Sequence, residues 1–197
     1  PLNGGFVNAA TLISFLHNSV GYVTGNISYA GTYFSEENYV MFLKMIMLVI
    51  AFLLGSITSG LIIKSEHYNK DQRYSANLIL QLLFVVIAIY LMRYKLSYCE
   101  YFLAATMGLQ NSMTTHYGSA LIRATHMTGT TTDLGILIAH WIKRKNVPFW
   151  KIRLYLILIV SFLAGSIIGA VCFAYFQENS LFISIMIYLT MIMISKK

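Results

Sequence analysis

Two six-residue stretches of the chain are nearly identical: Phe-Leu-Leu-Gly-Ser-Ile at residues 52–57 and Phe-Leu-Ala-Gly-Ser-Ile at residues 162–167. Two further pairs match in the same order along the chain. They are Gly-Phe-Val-Asn-Ala at 5–9 with Gly-Leu-Gln-Asn-Ser at 108–112, and Val-Thr-Gly-Asn at 23–26 with Met-Thr-Gly-Thr at 127–130. Self-similarity in register is typical of a repeated unit. The chain is therefore predicted to contain two copies of one unit, residues 1–96 and 97–197, within one membrane domain.

The composition places both copies in a lipid bilayer. Of the 197 residues, 57% are hydrophobic and 11% are charged, whereas soluble domains carry about a quarter charged residues. Five stretches without Asp, Glu, Lys or Arg approach or exceed the roughly 20 apolar residues that a membrane helix needs. They span residues 1–35, 45–63, 75–92, 101–122 and 154–177. The predicted fold class is an all-α polytopic membrane protein.

Composition and motifs also argue against several classes of function. The formal net charge is +7, but the basic residues lie in short loops between apolar stretches, which is typical of a membrane protein. We therefore expect no nucleic-acid partner. Cys99 and Cys172 lack the spacing of a disulfide framework or a zinc motif. The sequence shows no nucleophile–base pair and no phosphate-binding loop, so we predict no catalytic residue, no enzyme activity, no cofactor and no metal.

The basic residues predict how the two copies are oriented. Lys and Arg concentrate in loops 64–74 and 143–153 and in the C-terminal tail, whereas segments 29–40 and 177–180 carry only acidic charge. The positive-inside rule places the basic segments in the cytoplasm. Each copy then crosses the membrane a net odd number of times. This predicts two three-crossing repeats of inverted topology, a common transporter architecture. The alternative, parallel repeats with four crossings each, would put loop 143–153 on the wrong side.

The first helix of each copy is predicted to be discontinuous. Residues 98–142 are too long for one crossing, yet only a net odd number of crossings fits. We expect breaks near 17–22 and 116–118, and new helices starting at the two Thr-Gly motifs. Thr and Asn are good helix N-caps, and Gly permits unusual backbone angles. Broken helices at membrane depth are tolerated where they line a cavity, and free N–H groups at a helix start attract electron-rich groups. A kink capped for structural reasons alone is the alternative.

The polar residues around the two breaks form the predicted substrate site. They are Asn8, Thr24, Gly25, Asn26, Gln110, Asn111, Arg123, His126, Thr128, Gly129, Thr130 and Asp133. Structural alternatives accompany several of them. Asn8 and Asn111 could hydrogen-bond between helices, Arg123 and Asp133 could form an ion pair, and His126 could be a structural histidine.

These motifs resemble the DUF1275 family, also called the YoaK-like or UPF0700 bacterial membrane proteins. The resemblance rests on the two Gly-x-x-Asn motifs and the two Thr-Gly motifs, and it spans nearly the whole chain. It implies a bacterial inner-membrane protein of about six helices, and it implies no established activity. Family members often carry Asp where this chain has Asn8, and an amide does not exchange protons at physiological pH.

Together these features predict a small-solute transporter or permease with a site near the membrane midplane, at the repeat interface. The expected partners are the lipid bilayer and an unknown small solute, anionic or polar. The alternatives are a non-transporting oligomeric scaffold and a channel-like pore, and a homo-oligomer remains open. The expected location is a bacterial inner membrane, with the basic loops and the C-terminus in the cytoplasm.

Overall fold

The structure is a computed structural model that describes residues 1–63, 74–117 and 123–195. These residues form eight α-helices, one short 3-10 helix and no strand. In chain order the helices are α1 (Leu2–Ile13), α2 (Val23–Ser35), α3 (Tyr39–Ile62), α4 (Tyr74–Arg93), α5 (Cys99–Tyr117), α6 (Met127–Ile142), α7 (Phe149–Phe176) and α8 (Phe182–Ser195), with the 3-10 helix at Gln177–Leu181. The all-α prediction is confirmed.

Three helical stretches within the described residues are long and apolar enough to cross a membrane: Tyr39–Ile62, Tyr74–Arg93 and Phe149–Ser195. Only 17% of the most apolar window of α3 is buried inside the protein. Most of its apolar side chains therefore face outward, as expected of a helix surrounded by lipid. These apolar helices fit a membrane protein.

Some helix bounds differ from the predicted ones. Helix α7 begins at Phe149 rather than at residue 154, because the chain can turn into a helix directly after Pro148. Lys151 and Arg153, predicted in a loop, therefore belong to this helix. Helix α8 begins at Phe182 rather than at residue 180, after the 3-10 helix. The basic residues predicted at 64–73 and at the C-terminal tail lie outside the described residues.

The predicted halves pack across each other. Helix α1 lies along α7, and α3 lies along α5. The glycines of the repeated motifs make both contacts, because a Cβ on Gly55 would clash with the carbonyl oxygen of Ala105, and a Cβ on Gly165 with that of Leu2. Small residues let membrane helices approach closely, so these two glycines allow close packing of both helix pairs.

Polar groups add specific links between the helices. Lys44 Nζ of α3 lies 3.3 Å from Oε1 of Glu100, whose side chain is completely buried in α5. Asn77 Nδ2 of α4 donates a hydrogen bond of 2.7 Å to Ser59 Oγ of α3, and both residues are fully buried. These contacts join α3, α4 and α5 into one packed unit.

Candidate functional site

The first helix of each predicted half is interrupted. Helix α1 ends at Ile13 and α2 begins at Val23, while α5 ends at Tyr117 and α6 begins at Met127. The first break therefore starts a few residues earlier than predicted. Residues 118–122 of the second break, with the predicted Gly118, lie outside the described part of the chain.

The same interaction holds the chain just before each new helix. Asn8 Oδ1 accepts a hydrogen bond of 2.8 Å from the Gly21 N–H, and Asn111 Oδ1 accepts one of 3.0 Å from the Thr125 N–H. Both asparagines are buried. Asn111 Nδ2 also donates to Thr125 Oγ1 at 2.9 Å. Each amide thus connects a helix to the end of its own break, rather than to a neighbouring helix.

The starts of α2 and α6 differ from the prediction. The cap positions are Tyr22 and His126, and neither helix start has a side-chain capping hydrogen bond. The glycines do not adopt unusual angles, since no glycine among the described residues has a positive φ. Their lack of a side chain matters instead. A Cβ on Gly25 would clash with the ring of Tyr22, and a Cβ on Gly129 would clash with the ring of His126.

Two clefts open where the breaks meet, and they share five lining residues: Gly21, Tyr22, Thr125, Met127 and Thr128. The first cleft, of about 320 Å³, is also lined by Asn8, Ala9, Leu12, Ser19, Phe162 and Ser166. The second cleft, of about 520 Å³, is also lined by Val23, Thr24, Phe52, Ser56, Asn111, Ser112, Thr115, His116, Arg123 and His126. The first residues of α2 and α6 thus border a common region.

Comparison with known proteins assigns the chain to a family. The model of a family described as "Protein of unknown function (DUF1275)" matches residues 2–194. The chain belongs to the DUF1275 family. No curated protein and no solved structure matches it.

Half of the residues predicted for the substrate site line a cleft of this DUF1275 protein. Asn8 lines the first cleft, Thr128 lines both, and the others line the second: Thr24, Asn111, Arg123 and His126. The remaining six lie outside both linings: Gly25, Asn26, Gln110, Gly129, Thr130 and Asp133.

The residues outside the linings have other surroundings. Asn26 is buried and donates to the Ser19 carbonyl oxygen at 3.4 Å, and the Thr130 hydroxyl donates to the His126 carbonyl oxygen at 2.9 Å. Asp133 is exposed and lies near Tyr155 of α7. The alternative of an Arg123–Asp133 ion pair is wrong. These two side chains form no ion pair, and within the described residues the ion pair joins Lys44 to Glu100.

Sequence reasoning missed Tyr22, which lines both clefts and covers the first turn of α2. A signal was available, because Tyr22 and His126 stand two residues before the two Thr-Gly motifs. It also missed Ser56 and Ser166 of the two repeated six-residue stretches, each of which lines one cleft. Among the described residues, no group of three His, Cys, Asp or Glu side chains could hold a metal ion.

Replacing Asn111 with leucine is expected to destabilise the second break of this DUF1275 protein. The Thr125 N–H would lose its acceptor in a partly buried site, which costs about 1–3 kcal/mol. Asn111→Asp keeps an acceptor oxygen for this N–H but loses the amide donor to Thr125 Oγ1 and to the Met107 carbonyl oxygen, so it should recover only part of the loss. Thermal unfolding in detergent would measure both variants. Equal melting temperatures for the two would contradict the proposed role of this oxygen.

Proposed function

We propose that the protein is a membrane transporter for a small polar or anionic solute, with its binding site at the two broken helices. The observation that carries this proposal is the pair of clefts that meet at the starts of α2 and α6 and share Tyr22 and Thr128. Transporters built from repeats often bind substrate at discontinuous helices. A cleft of about 520 Å³ is within the common range for small-molecule sites.

We further propose that the two halves are inverted repeats. The matching asparagine-to-break hydrogen bonds and the matching ring-over-glycine contacts support a common origin. The reciprocal packing of α1 with α7 and of α3 with α5 supports it as well. The positive-inside rule supports a cytoplasmic location for the basic loops and the C-terminus, and the family resemblance supports a bacterial inner membrane.

The packing suggests how such a protein could alternate its access. The chain leaves the α1–α7 pair at the first break and leaves the α3–α5 pair at the second. Small movements of one helix pair against the other would therefore move the breaks, which border both clefts. Rocking of one helix bundle against another around a fixed site is the usual mechanism of this architecture. Breaks that border open clefts support a transporter over a scaffold with tightly packed breaks.

Uptake by reconstituted vesicles tests the proposal. A panel of labelled carboxylates, phosphate, urea and glycerol should include at least one solute with saturable uptake above that of empty vesicles. Thr128→Val and Arg123→Ala should abolish this uptake, because they remove polar groups from the cleft lining, while both variants stay monodisperse in detergent.

Thr132→Val is the matched control for Thr128→Val. Thr132 lies one turn further along α6, is exposed and lines neither cleft. Its variant should transport normally. Normal uptake by Thr128→Val and Arg123→Ala would refute the site, and absence of saturable uptake across the whole panel would count against a transporter.

A further inference from the structure

The two clefts are built from matching positions of the two halves. Before each break, the two halves are aligned on Asn8 and Asn111, which form the same hydrogen bond to their breaks. After each break, they are aligned on the two Thr-Gly motifs. Phe162 and Ser166 in the first cleft correspond to Phe52 and Ser56 in the second. The linings can therefore be compared position by position.

The two linings differ in polarity at several matching positions. Ala9 in the first cleft corresponds to Ser112 in the second, and Leu12 corresponds to Thr115. Nearer the helix starts, Ser19 corresponds to Arg123 and Tyr22 to His126. Each change makes the second cleft more polar, and the change at Arg123 adds a full positive charge.

The charged side chain in the second cleft is cationic. Arg123 is exposed and lines this cleft together with His116 and His126, and the described residues of the lining include no Asp or Glu. The nearest carboxylate along α6, Asp133, lies outside the lining and near Tyr155 of α7. Among the residues that the structure describes, the lining of the first cleft includes no Asp, Glu, Lys, Arg or His. A guanidinium group pairs well with planar oxyanions such as carboxylate and phosphate.

We propose that the second cleft is an anion site in which Arg123 binds a carboxylate or phosphate group of the solute, and that the first cleft does not bind anions. This inference rests on the proposed transport function and specifies its substrate class. Arg123 supplies the charge that selects an anion. The hydroxyls of Ser112 and Thr128, which face the same cleft, supply neutral donors for the remaining oxygen atoms of the group.

Pairs of acids and amides of the same shape test this site. The detergent-purified protein is titrated with acetate, benzoate or inorganic phosphate at constant ionic strength, with chloride as the background anion, and its melting temperature is followed. Acetamide and benzamide are the neutral controls. At least one anion should raise the melting temperature saturably, and both amides should leave it unchanged.

Substitutions of Arg123, with Arg153 as the control, test whether Arg123 binds the anion. Arg123→Gln should weaken binding by about tenfold or more, since a hydrogen bond to a charged group contributes more than a neutral one. Arg123→Lys should restore part of it. Arg153→Gln removes the same charge from an exposed position of α7 outside both linings, and it should bind as the parent does.

Three results would overturn the anion site: no saturable effect of any of the three anions, equal effects of acids and amides, or equal losses in Arg123→Gln and Arg153→Gln. The outcome is separable from that of the transport proposal. Saturable uptake of a neutral solute without anion binding would refute the anion site and leave the transporter. Anion binding without uptake of any solute would support the anion site and count against the transporter.

Discussion

Gly108→Leu is expected to prevent the normal packing of α5 against α3. The Gly108 Cα faces the carbonyl oxygen of Phe52, and Ser56 Oγ donates to the Gly108 carbonyl oxygen at 3.2 Å. A side chain at this position meets backbone, which cannot rotate away as a flexible side chain can. Overpacking typically costs about 1–3 kcal/mol and occasionally more, and a clash with backbone should lie at the upper end of this range. The variant should melt at a markedly lower temperature in detergent, or elute as an aggregate.

Gly60→Leu is the matched control for this variant. Gly60 lies on α3, is exposed, and has no atom within 4 Å of the place where its Cβ would be. The added leucine should therefore meet lipid or detergent and change the melting temperature little. The packing argument fails if Gly108→Leu and Gly60→Leu melt at the same temperature.

Lys44→Met is expected to cause the second large loss of stability. The carboxylate of Glu100 is completely buried, and its ion-pair partner is the ammonium group of Lys44 at 3.3 Å. Removal of one partner of a buried ion pair leaves an uncompensated charge and typically costs roughly 3–5 kcal/mol. Unfolding by a graded increase of sodium dodecyl sulfate would measure the loss.

The double variant Lys44→Met with Glu100→Gln distinguishes this cause from a loss of packing. It removes both charges and keeps side chains of similar size, so it should recover most of the stability that Lys44→Met loses. Lys95→Met, at an exposed position, serves as a control for the loss of one positive charge. A double variant no more stable than Lys44→Met alone would show that the buried charge is not the cause.

Several features of the protein could be predicted from the sequence because they depend on neighbouring residues. An apolar stretch of sufficient length becomes a helix in lipid, since every backbone polar group must be bonded there. This reasoning located both ends of α4 and the C-terminal end of α3 to within one residue, an ordinary uncertainty for helix ends. It also predicted an interruption in the first helix of each half. The repeated motifs supplied the family resemblance that the match over residues 2–194 confirms.

The candidate site could be predicted only in part, because a motif does not show which side of a helix faces a cleft. Thr24 and Thr128 line the second cleft, whereas Asn26 and Thr130, two residues further on, do not. An α-helix turns by a large angle at each residue, so neighbouring members of one motif face different surroundings. Asp133 likewise faces Tyr155 of α7, a partner distant in sequence.

The sequence by itself determined that the chain is helical, apolar enough for a membrane, interrupted at two corresponding places and a member of the DUF1275 family. Only the tertiary structure decided that α1 packs with α7 and α3 with α5, and that Tyr22 and His126 occupy the space left by Gly25 and Gly129. The physical reason is that helix formation in lipid follows from local composition, whereas close packing depends on the shapes of surfaces that meet from distant parts of the chain.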